Sequence, residues 1–221
     1  MHRGSRYGLP TRDELFRSCM YGEGYEAMRF ANPAVRHRLE VMERIILLRT
    51  RGCQRVLDLG CGTGRFTAQL RVREVIGLDK SRAMLSVARR RELACVLGDA
   101  HALPFGDREF DAVISTDHVF GAIDVERALP EAHRVLSPGG LLAIHYPAHA
   151  IWTPRKPFGL TLIPGPRRKA AAEVIAIAET LGFRVDARQL WRWLRWYPYL
   201  VPMPPWTRLP IWNGGVLLFR K

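Results

Sequence analysis

Short apolar runs alternate with longer amphipathic segments through the middle of the chain. The runs are rich in Val, Ile and Leu, and several end at a glycine, a serine or an acidic residue, as buried parallel strands do. Apolar residues in the intervening segments recur at helical spacing. Strands that alternate with helices predict an α/β fold built on a largely parallel sheet. The predicted strands are 56–59, 74–79, 93–97, 110–115, 141–146, 183–187 and 215–220.

Helical periodicity predicts the connections between these strands. The predicted helices cover residues 35–48, a segment that begins near 81, residues 125–136 and residues 167–181. Ser81 and Asp124 are predicted N-caps because their side-chain oxygens can accept bonds from free backbone N–H groups, and Gly182 is a predicted helix stop. The first helix is expected to bury Val35, Leu39, Met42, Ile45, Ile46 and Leu48. A crossover helix between the first two strands is expected to face the sheet with Phe66, Ala68 and Leu70.

Three glycines follow the first strand. Gly60, Gly62 and Gly64 have the spacing G-x-G-x-G, which lets the backbone turn sharply and approach a ligand closely. A dinucleotide-binding turn has the spacing G-x-G-x-x-G instead. Asp58 lies inside the strand end, where a carboxylate would repel a pyrophosphate but would suit a cofactor that carries a cationic amino-acid group. The turn therefore favours such a cofactor over NAD(P).

Residues 58–64 resemble motif I of the class I S-adenosylmethionine (SAM) dependent methyltransferases. Three later stretches, at residues 74–79, 98–105 and 134–140, resemble the same family in the same order. The resemblance covers residues 50–150 and is closest to the small-molecule and lipid branch, type 11. It implies a Rossmann-like doubly wound sheet of seven strands in the order 3-2-1-4-5-7-6, with strand 7 antiparallel. It also implies SAM as cofactor and S-adenosylhomocysteine as product.

Two carboxylates at later strand ends are candidate cofactor ligands. Asp79 lies 19 residues after Gly60, the separation expected for an acid that binds ribose hydroxyls. The alternative is that Asp79 caps the next helix, a role that Ser81 fills better. In the resemblance, Asp99 and Ala100 occupy the positions that contact the adenine amino group and a ring nitrogen. The cofactor contacts expected overall are Tyr25, Asp58, Gly60, Cys61, Gly62, Gly64, Asp79, Lys80, Met84, Asp99, Ala100, Ser115 and Thr116.

The end of the fourth strand is expected to lie beside the methyl donor, because ligands in these folds bind at the carboxyl ends of strands. The Asn/Asp-Pro-Pro-aromatic string of many amine methyltransferases is absent at residues 115–120. Its absence argues against methylation of an exocyclic amine and favours a small or lipid-like acceptor. His118 and His145 are the candidate catalytic bases, since histidine titrates near neutral pH, and a structural role is the alternative for each.

The chain is predicted to form one methyltransferase domain over residues 1–221. Residues 1–50 would form an N-terminal arm and lid helices, residues 51–150 the cofactor-binding core, and residues 151–221 the acceptor side. Helices before motif I often cover the cofactor in this family. Tyr21 and Tyr25 would line that lid or pack on the sheet.

The net charge of the 221-residue chain is +13, with 34 basic residues. This charge favours either an RNA partner or a solvated surface without a specific role. No apolar run approaches the ~20 residues of a membrane span. The basic N-terminus lacks the apolar stretch of a signal peptide. The four cysteines form no C-x-x-C pair, so we expect no metal site and a reducing, cytoplasmic location.

The segment 190–212 combines tryptophans with arginines and prolines. It holds five of the six tryptophans. Such a segment can stack on bases, insert at a lipid interface, form an apolar acceptor pocket, build a homo-oligomer interface or simply pack as an insertion. The sequence therefore predicts a SAM-dependent methyltransferase with a small or lipid-like acceptor. An RNA methyltransferase and a non-catalytic SAM-binding regulator are the alternatives.

Overall fold

The computed structural model of the chain describes residues 26, 33–116, 119–121, 123–146, 171–192, 201–202 and 215–221. The helices are α1 (Pro33–Arg49), α2 (Arg82–Arg89), α3 (Val125–Val135) and α4 (Ala171–Thr180). The strands are β1 (Arg55–Leu59), β2 (Glu74–Asp79), β3 (Ala94–Leu97), β4 (Phe110–Ser115), β5 (Leu136–Tyr146), β6 (Arg184–Arg192), β7 (Val201–Pro202) and β8 (Gly215–Arg220). Short 3₁₀ turns occupy Thr67–Gln69 and Val119–Gly121.

The strands form one sheet in the order β3-β2-β1-β4-β5-β8-β6-β7. Strands β1 to β5 run parallel, and β8 inserts antiparallel between β5 and β6. The predicted order 3-2-1-4-5-7-6 is confirmed, with β8 in the place of the predicted seventh strand. The additional strand β7 is two residues long and pairs only with the end of β6.

Helices cover both faces of this sheet. Leu57 and Leu59 of β1 belong to an apolar cluster that includes Ala128 of α3 and Val174 of α4. Val56, the residue before Leu57, belongs to the second cluster, together with Met42 and Ile46 of α1. Because successive strand residues point to opposite faces, the two clusters are the two sides of the sheet. The fold is therefore doubly wound, as predicted.

The packing faces agree with the predictions only in part. The inner face of the helix predicted over residues 125–136 is buried along α3, from Val125 to Val135. Phe66 and Leu70 are buried, but the segment after β1 forms only the 3₁₀ turn Thr67–Gln69, and Ala68 is exposed. The expectation of a crossover helix with Ala68 inward was wrong, because a single turn points fewer side chains at the sheet. Leu48 in the last turn of α1 is also exposed, contrary to prediction.

Strand β5 begins five residues earlier than predicted. Gly139 N–H donates to the Lys221 carbonyl at 2.9 Å, and Lys221 N–H donates to the Gly140 carbonyl at 3.1 Å. These bonds extend the ladder with β8 through the Pro-Gly-Gly turn. Gly139 permits this with a φ of +75°. In the part of the chain that the structure describes, no helix has the length and apolar character needed to cross a membrane.

Candidate cofactor-binding site

The candidate site lies along the edge where four adjacent parallel strands end. In the order β3-β2-β1-β4, these strands lead into Gly98, Asp79, Gly60 and Thr116. Carboxyl ends of parallel strands meet at one edge of a sheet, and such an edge is where ligands bind in open α/β folds. The fold thus brings most of the predicted ligands together from positions up to about 60 residues apart in the sequence.

The glycine loop after β1 is held against β2 by backbone hydrogen bonds. The N–H groups of Gly60 and Cys61 both donate to the Leu78 carbonyl, at 2.7 and 3.0 Å. Gly60 and Gly64 have φ values of +78° and +74°. A Cβ at Gly60 would lie 2.4 Å from Val119, and one at Gly64 would lie 2.3 Å from Leu93. Both positions therefore require glycine for conformation and for space.

Gly62 differs from its neighbours in what surrounds it. Its φ is +57°, and a Cβ built there would meet no atom of the described residues within 4 Å. The loop therefore presents bare backbone to open space at this point. A cofactor could approach the main chain here without meeting a side chain of Gly62.

Asp79 ties the glycine loop to the start of α2. Its Oδ2 accepts from the Gly62 N–H at 2.9 Å, and its Oδ1 accepts from the Ser81 N–H at 2.8 Å. Ser81 is the N-cap of α2, because its Oγ accepts from the Met84 N–H at 3.3 Å. The predicted cap is confirmed, and Asp79 is not the cap. Its carboxylate lies at the strand end, beside the open side of Gly62.

Asp99 is oriented by a neighbour that the sequence analysis did not single out. Its Oδ1 accepts from the His101 N–H at 2.9 Å and from His101 Nδ1 at 2.8 Å. His101 Nε2 accepts from the Asp124 N–H at 3.0 Å, so the two ring nitrogens bond to two different segments of the chain. The backbone N–H of His101 is the main cause that lowers the pKa of Asp99. His101 thus links the candidate adenine ligand to the N-terminus of α3.

The loop that carries Asp99 is fastened to α3 by one arginine. Arg134 donates to the carbonyls of Leu103 and Phe105, at 3.1 and 2.8 Å. It also pairs with Asp107 and Glu131 at 2.9 Å each, and these bonds raise the pKa of Arg134. Glu131 in turn accepts from the Leu103 N–H. The loop is therefore anchored by charge as well as by its apolar residues.

Asp58 is completely buried beneath the glycine loop. Its Oδ2 accepts from the Thr67 hydroxyl at 2.6 Å, and burial raises its pKa from 3.8 to about 7. We expected a fixed negative charge at this position. The structure instead places a carboxyl there that is only partly ionised at neutral pH, since removal from water disfavours the charged form.

The remaining predicted cofactor contacts occupy different environments. Ser115 is buried and donates to the Leu59 carbonyl at 2.9 Å, while Thr116 is 8% exposed at the end of β4. Lys80 is exposed, and Met84 and Ala100 are buried. The Cys61 side chain is buried, and its sulfur lies beside Gly77 of β2.

Two candidate residues, Tyr25 and His118, lie outside the described residues. His145 lies on β5 opposite Val216 of β8, and its side chain is 1% exposed. Its proposed role as a base stays a prediction. Most of segment 190–212 also lies outside the described residues.

Glu26 is a contact of the glycine loop that the sequence analysis missed. Its carboxylate accepts from the Thr63 hydroxyl and pairs with Arg91, beyond α2, at 2.7 Å. Only the expectation of lid helices within residues 1–50 indicated that this region approaches the site. An acid on an amphipathic segment carries no local mark of such a contact.

Residues 57–144 match a family model described as a methyltransferase domain. The chain is 40% identical over 118 residues to a demethylmenaquinone methyltransferase of Thermus thermophilus, aligned over 48% of this chain and 52% of that protein. It is 44% identical over 91 residues to malonyl-[acyl-carrier protein] O-methyltransferase 1 of Coxiella burnetii, aligned over 39% of this chain and 31% of that protein. The chain therefore spans about half, or less, of the length of these two relatives.

A solved structure supports the architecture. An S-adenosylmethionine dependent methyltransferase from Mesorhizobium loti superposes with a TM-score of 0.58 at 20% identity, over 81% of this chain and 98% of that chain. At this identity the likeness shows the fold, and it agrees with the sheet order described above.

Proposed function

Because residues 57–144 form a domain of the class I SAM-dependent methyltransferase family, we propose that this protein transfers a methyl group from SAM to a small or lipid-like acceptor. The cofactor of this family is SAM. The proposal rests most directly on one arrangement, the Asp79 carboxylate bonded to the Gly62 N–H at 2.9 Å beside the open side of the loop.

The residues at the strand ends fit SAM. Each oxygen of Asp79 accepts one backbone N–H and keeps capacity for another donor, since a carboxylate has about four acceptor sites. Asp79 is therefore suited to a ribose diol. Asp99 uses Oδ1 for both bonds to His101, which leaves Oδ2 for the adenine amino group.

When bound, SAM supplies an electrophilic methyl group on a positively charged sulfur. The chain's own task is to hold cofactor and acceptor in line and to exclude water. Gly60, Gly62 and Asp79 would hold the cofactor, with Ser115 and Thr116 beside its methyl group. A base is required only where the acceptor must lose a proton, and His118 and His145 are the proposed candidates for that role.

The acceptor class is supported by the two relatives. One is named for a quinone precursor and the other for a malonyl group on a carrier protein. Both names describe lipid-like or acyl acceptors rather than nucleic acid. An acceptor of this kind also suits the absence of the amine-methylating string at residues 115–120.

An RNA acceptor is the second candidate, and the net charge of +13 favours it. Binding through phosphate contacts weakens steeply with salt, because counterions are released. Filter binding of a structured RNA at 50 and 200 mM salt would show a loss of affinity on the order of 10³ if several phosphates are contacted. Absence of RNA binding at low salt would exclude this candidate.

The first experiment is calorimetric titration with SAM, S-adenosylhomocysteine and NADH. We expect micromolar binding of the two sulfur compounds and none of NADH. Binding of NADH alone would refute the proposal. An acceptor panel of demethylated quinones, acyl thioesters and RNA then follows, with radiolabelled methyl transfer as the readout. Transfer to any acceptor would rule out the alternative of a non-catalytic SAM-binding regulator.

A further inference from the structure

Two cysteines from different parts of the chain meet beneath the glycine loop. Cys61 lies in the loop after β1, and Cys95 lies on β3, with β2 between the two strands. Gly77 of β2 is in register with Cys95. A Cβ built on Gly77 would lie 2.7 Å from the Cys61 sulfur and 3.6 Å from the Cys95 sulfur. The absent side chain of Gly77 therefore leaves the space in which the two sulfurs meet.

The interaction between the two thiols is the main cause that raises the pKa of Cys61 and lowers the pKa of Cys95, and Arg89 lowers the pKa of Cys95 further. Cys95 is therefore the thiol of the pair that ionises more readily, and it is the better nucleophile. Cys95 is partly exposed, whereas Cys61 is 8% exposed. A small reagent in solution therefore reaches Cys95 first.

We propose that Cys61 and Cys95 form a thiol-oxidation site, in which a low-molecular-weight disulfide such as oxidised glutathione converts the pair to an internal disulfide that weakens SAM binding. The effect on SAM rests on the proposed function. The disulfide itself rests only on the juxtaposition of the two sulfurs.

The oxidation takes place in two exchange steps. The Cys95 thiolate attacks one sulfur of the small disulfide, forms a mixed disulfide and releases one small thiolate. The Cys61 sulfur then attacks the Cys95 sulfur, loses its proton and releases the second small thiol. Two protein thiols are oxidised to one disulfide, and one small disulfide is reduced to two thiols.

The disulfide acts on the cofactor site through the backbone of Cys61. A disulfide requires the sulfurs to lie about 2.05 Å apart, closer than two thiols that are not covalently bonded. Cys61 N–H donates to the Leu78 carbonyl, and the Cys61 carbonyl accepts from the Gly64 N–H at 2.9 Å. Closing the sulfur gap therefore moves Cys61 within the loop. Gly62, the next residue, would lose its alignment with Asp79.

The test uses the full chain, treated with oxidised glutathione and then mapped by mass spectrometry of a non-reduced digest. We expect a peptide that links Cys61 to Cys95, SAM affinity at least about tenfold weaker by calorimetry, and recovery of both with dithiothreitol. Cys95→Ser should abolish the link and the loss of affinity. Cys53→Ser, at a cysteine outside the pair, should leave both unchanged.

Other results would overturn the proposal. Links that join Cys61 or Cys95 only to Cys19, Cys53 or glutathione would refute the internal disulfide, whether or not SAM binds. A Cys61–Cys95 link with unchanged SAM affinity would refute the effect on the cofactor site. Failure of the reduced protein to bind SAM would refute the proposed function, and the peptide map would still decide the disulfide. Circular dichroism shows whether Cys95→Ser is folded. Cys95→Ala serves as a second variant that lacks the thiol.

Discussion

Asp79 holds two backbone N–H groups from different elements with one carboxylate. This fixes the carboxylate before any ligand arrives, so little ordering cost remains at binding. We expect Asp79→Ala to weaken SAM binding by ~1.5–3 kcal/mol, the range for hydrogen bonds to a charged group. Isothermal titration measures the change. Asp186→Ala is the matched control, because Asp186 pairs with Arg49 and Arg220 at the opposite end of the sheet. Unchanged affinity in a folded Asp79→Ala protein would exclude the ribose role.

Asp58 makes stability depend on pH in an unusual direction. Its pKa is raised from 3.8 to about 7 in the folded protein, so the folded state binds a proton that the unfolded state releases. The contribution of Asp58 to the free energy of unfolding is fully present below its unfolded pKa. It falls by about 1.4 kcal/mol for each pH unit above that value, until the pH passes the folded pKa.

Asp58→Asn should remove this dependence because its amide does not ionise. Between pH 5 and pH 8 the variant should gain roughly 3 kcal/mol of stability relative to the wild type. Urea unfolding at both pH values measures the gain. Glu179→Gln, at an exposed position of α4, should show no such gain. Parallel pH profiles for Asp58→Asn and the wild type would contradict the raised pKa.

At the scale of the element, the loop after β3 depends on a helix that follows it by about 30 residues. Arg134 bonds two loop carbonyls and the Asp107 carboxylate. Arg134→Met should lower the free energy of unfolding by about 2 kcal/mol, since bonds to a charged group are lost. It should also speed hydrogen exchange at residues 99–107. The free energy of unfolding of Arg134→Lys should lie between those of the wild type and Arg134→Met, because an ammonium group keeps the charge but cannot reproduce the planar guanidinium group.

Helix α4 is terminated by a glycine in the left-handed backbone conformation. Gly182 has a φ of +94°, and its N–H donates to the Glu179 carbonyl at 3.1 Å. Gly182→Ala should cost about 1 kcal/mol, because a Cβ strains this conformation. Thermal unfolding measures the cost. Gly182→Asn should cost less, since asparagine tolerates the left-handed region better. An equal or larger loss for asparagine would show that space around the residue, not backbone strain, decides the outcome.

At the scale of the whole molecule, the proposed cofactor contacts come from the ends of four parallel strands. A ligand that binds this edge binds only the folded chain. At a concentration 100 times its dissociation constant, SAM should therefore add about 2.7 kcal/mol of stability. For a chain of this size the melting temperature should rise by roughly 5–10 °C. Differential scanning fluorimetry measures the shift, with NADH as the control ligand. A shift with NADH and none with SAM would contradict the cofactor assignment.

Local sequence patterns were sufficient to predict most of the strands, the helix caps and the family of the domain. Strand periodicity, the glycine spacing and the cap residues are local signals, so β2, β4, Ser81, Asp124 and Gly182 could be predicted without any long-range contact. The position of Asp79 could be predicted because its separation from the glycine turn matches that expected for an acid at the end of the second strand.

Features that depend on contacts between residues distant in sequence could be seen only in the folded structure. His101 meets Asp124, Arg134 meets the loop after β3, and Glu26 meets Thr63 only after the chain has folded. Lys221 lengthens β5 in the same way. Burial, not residue type, sets the pKa of Asp58. Packing of the glycine loop against β2 and β3 brings the thiols of Cys61 and Cys95 together. Such effects arise from desolvation and close packing, which no local pattern of polarity records.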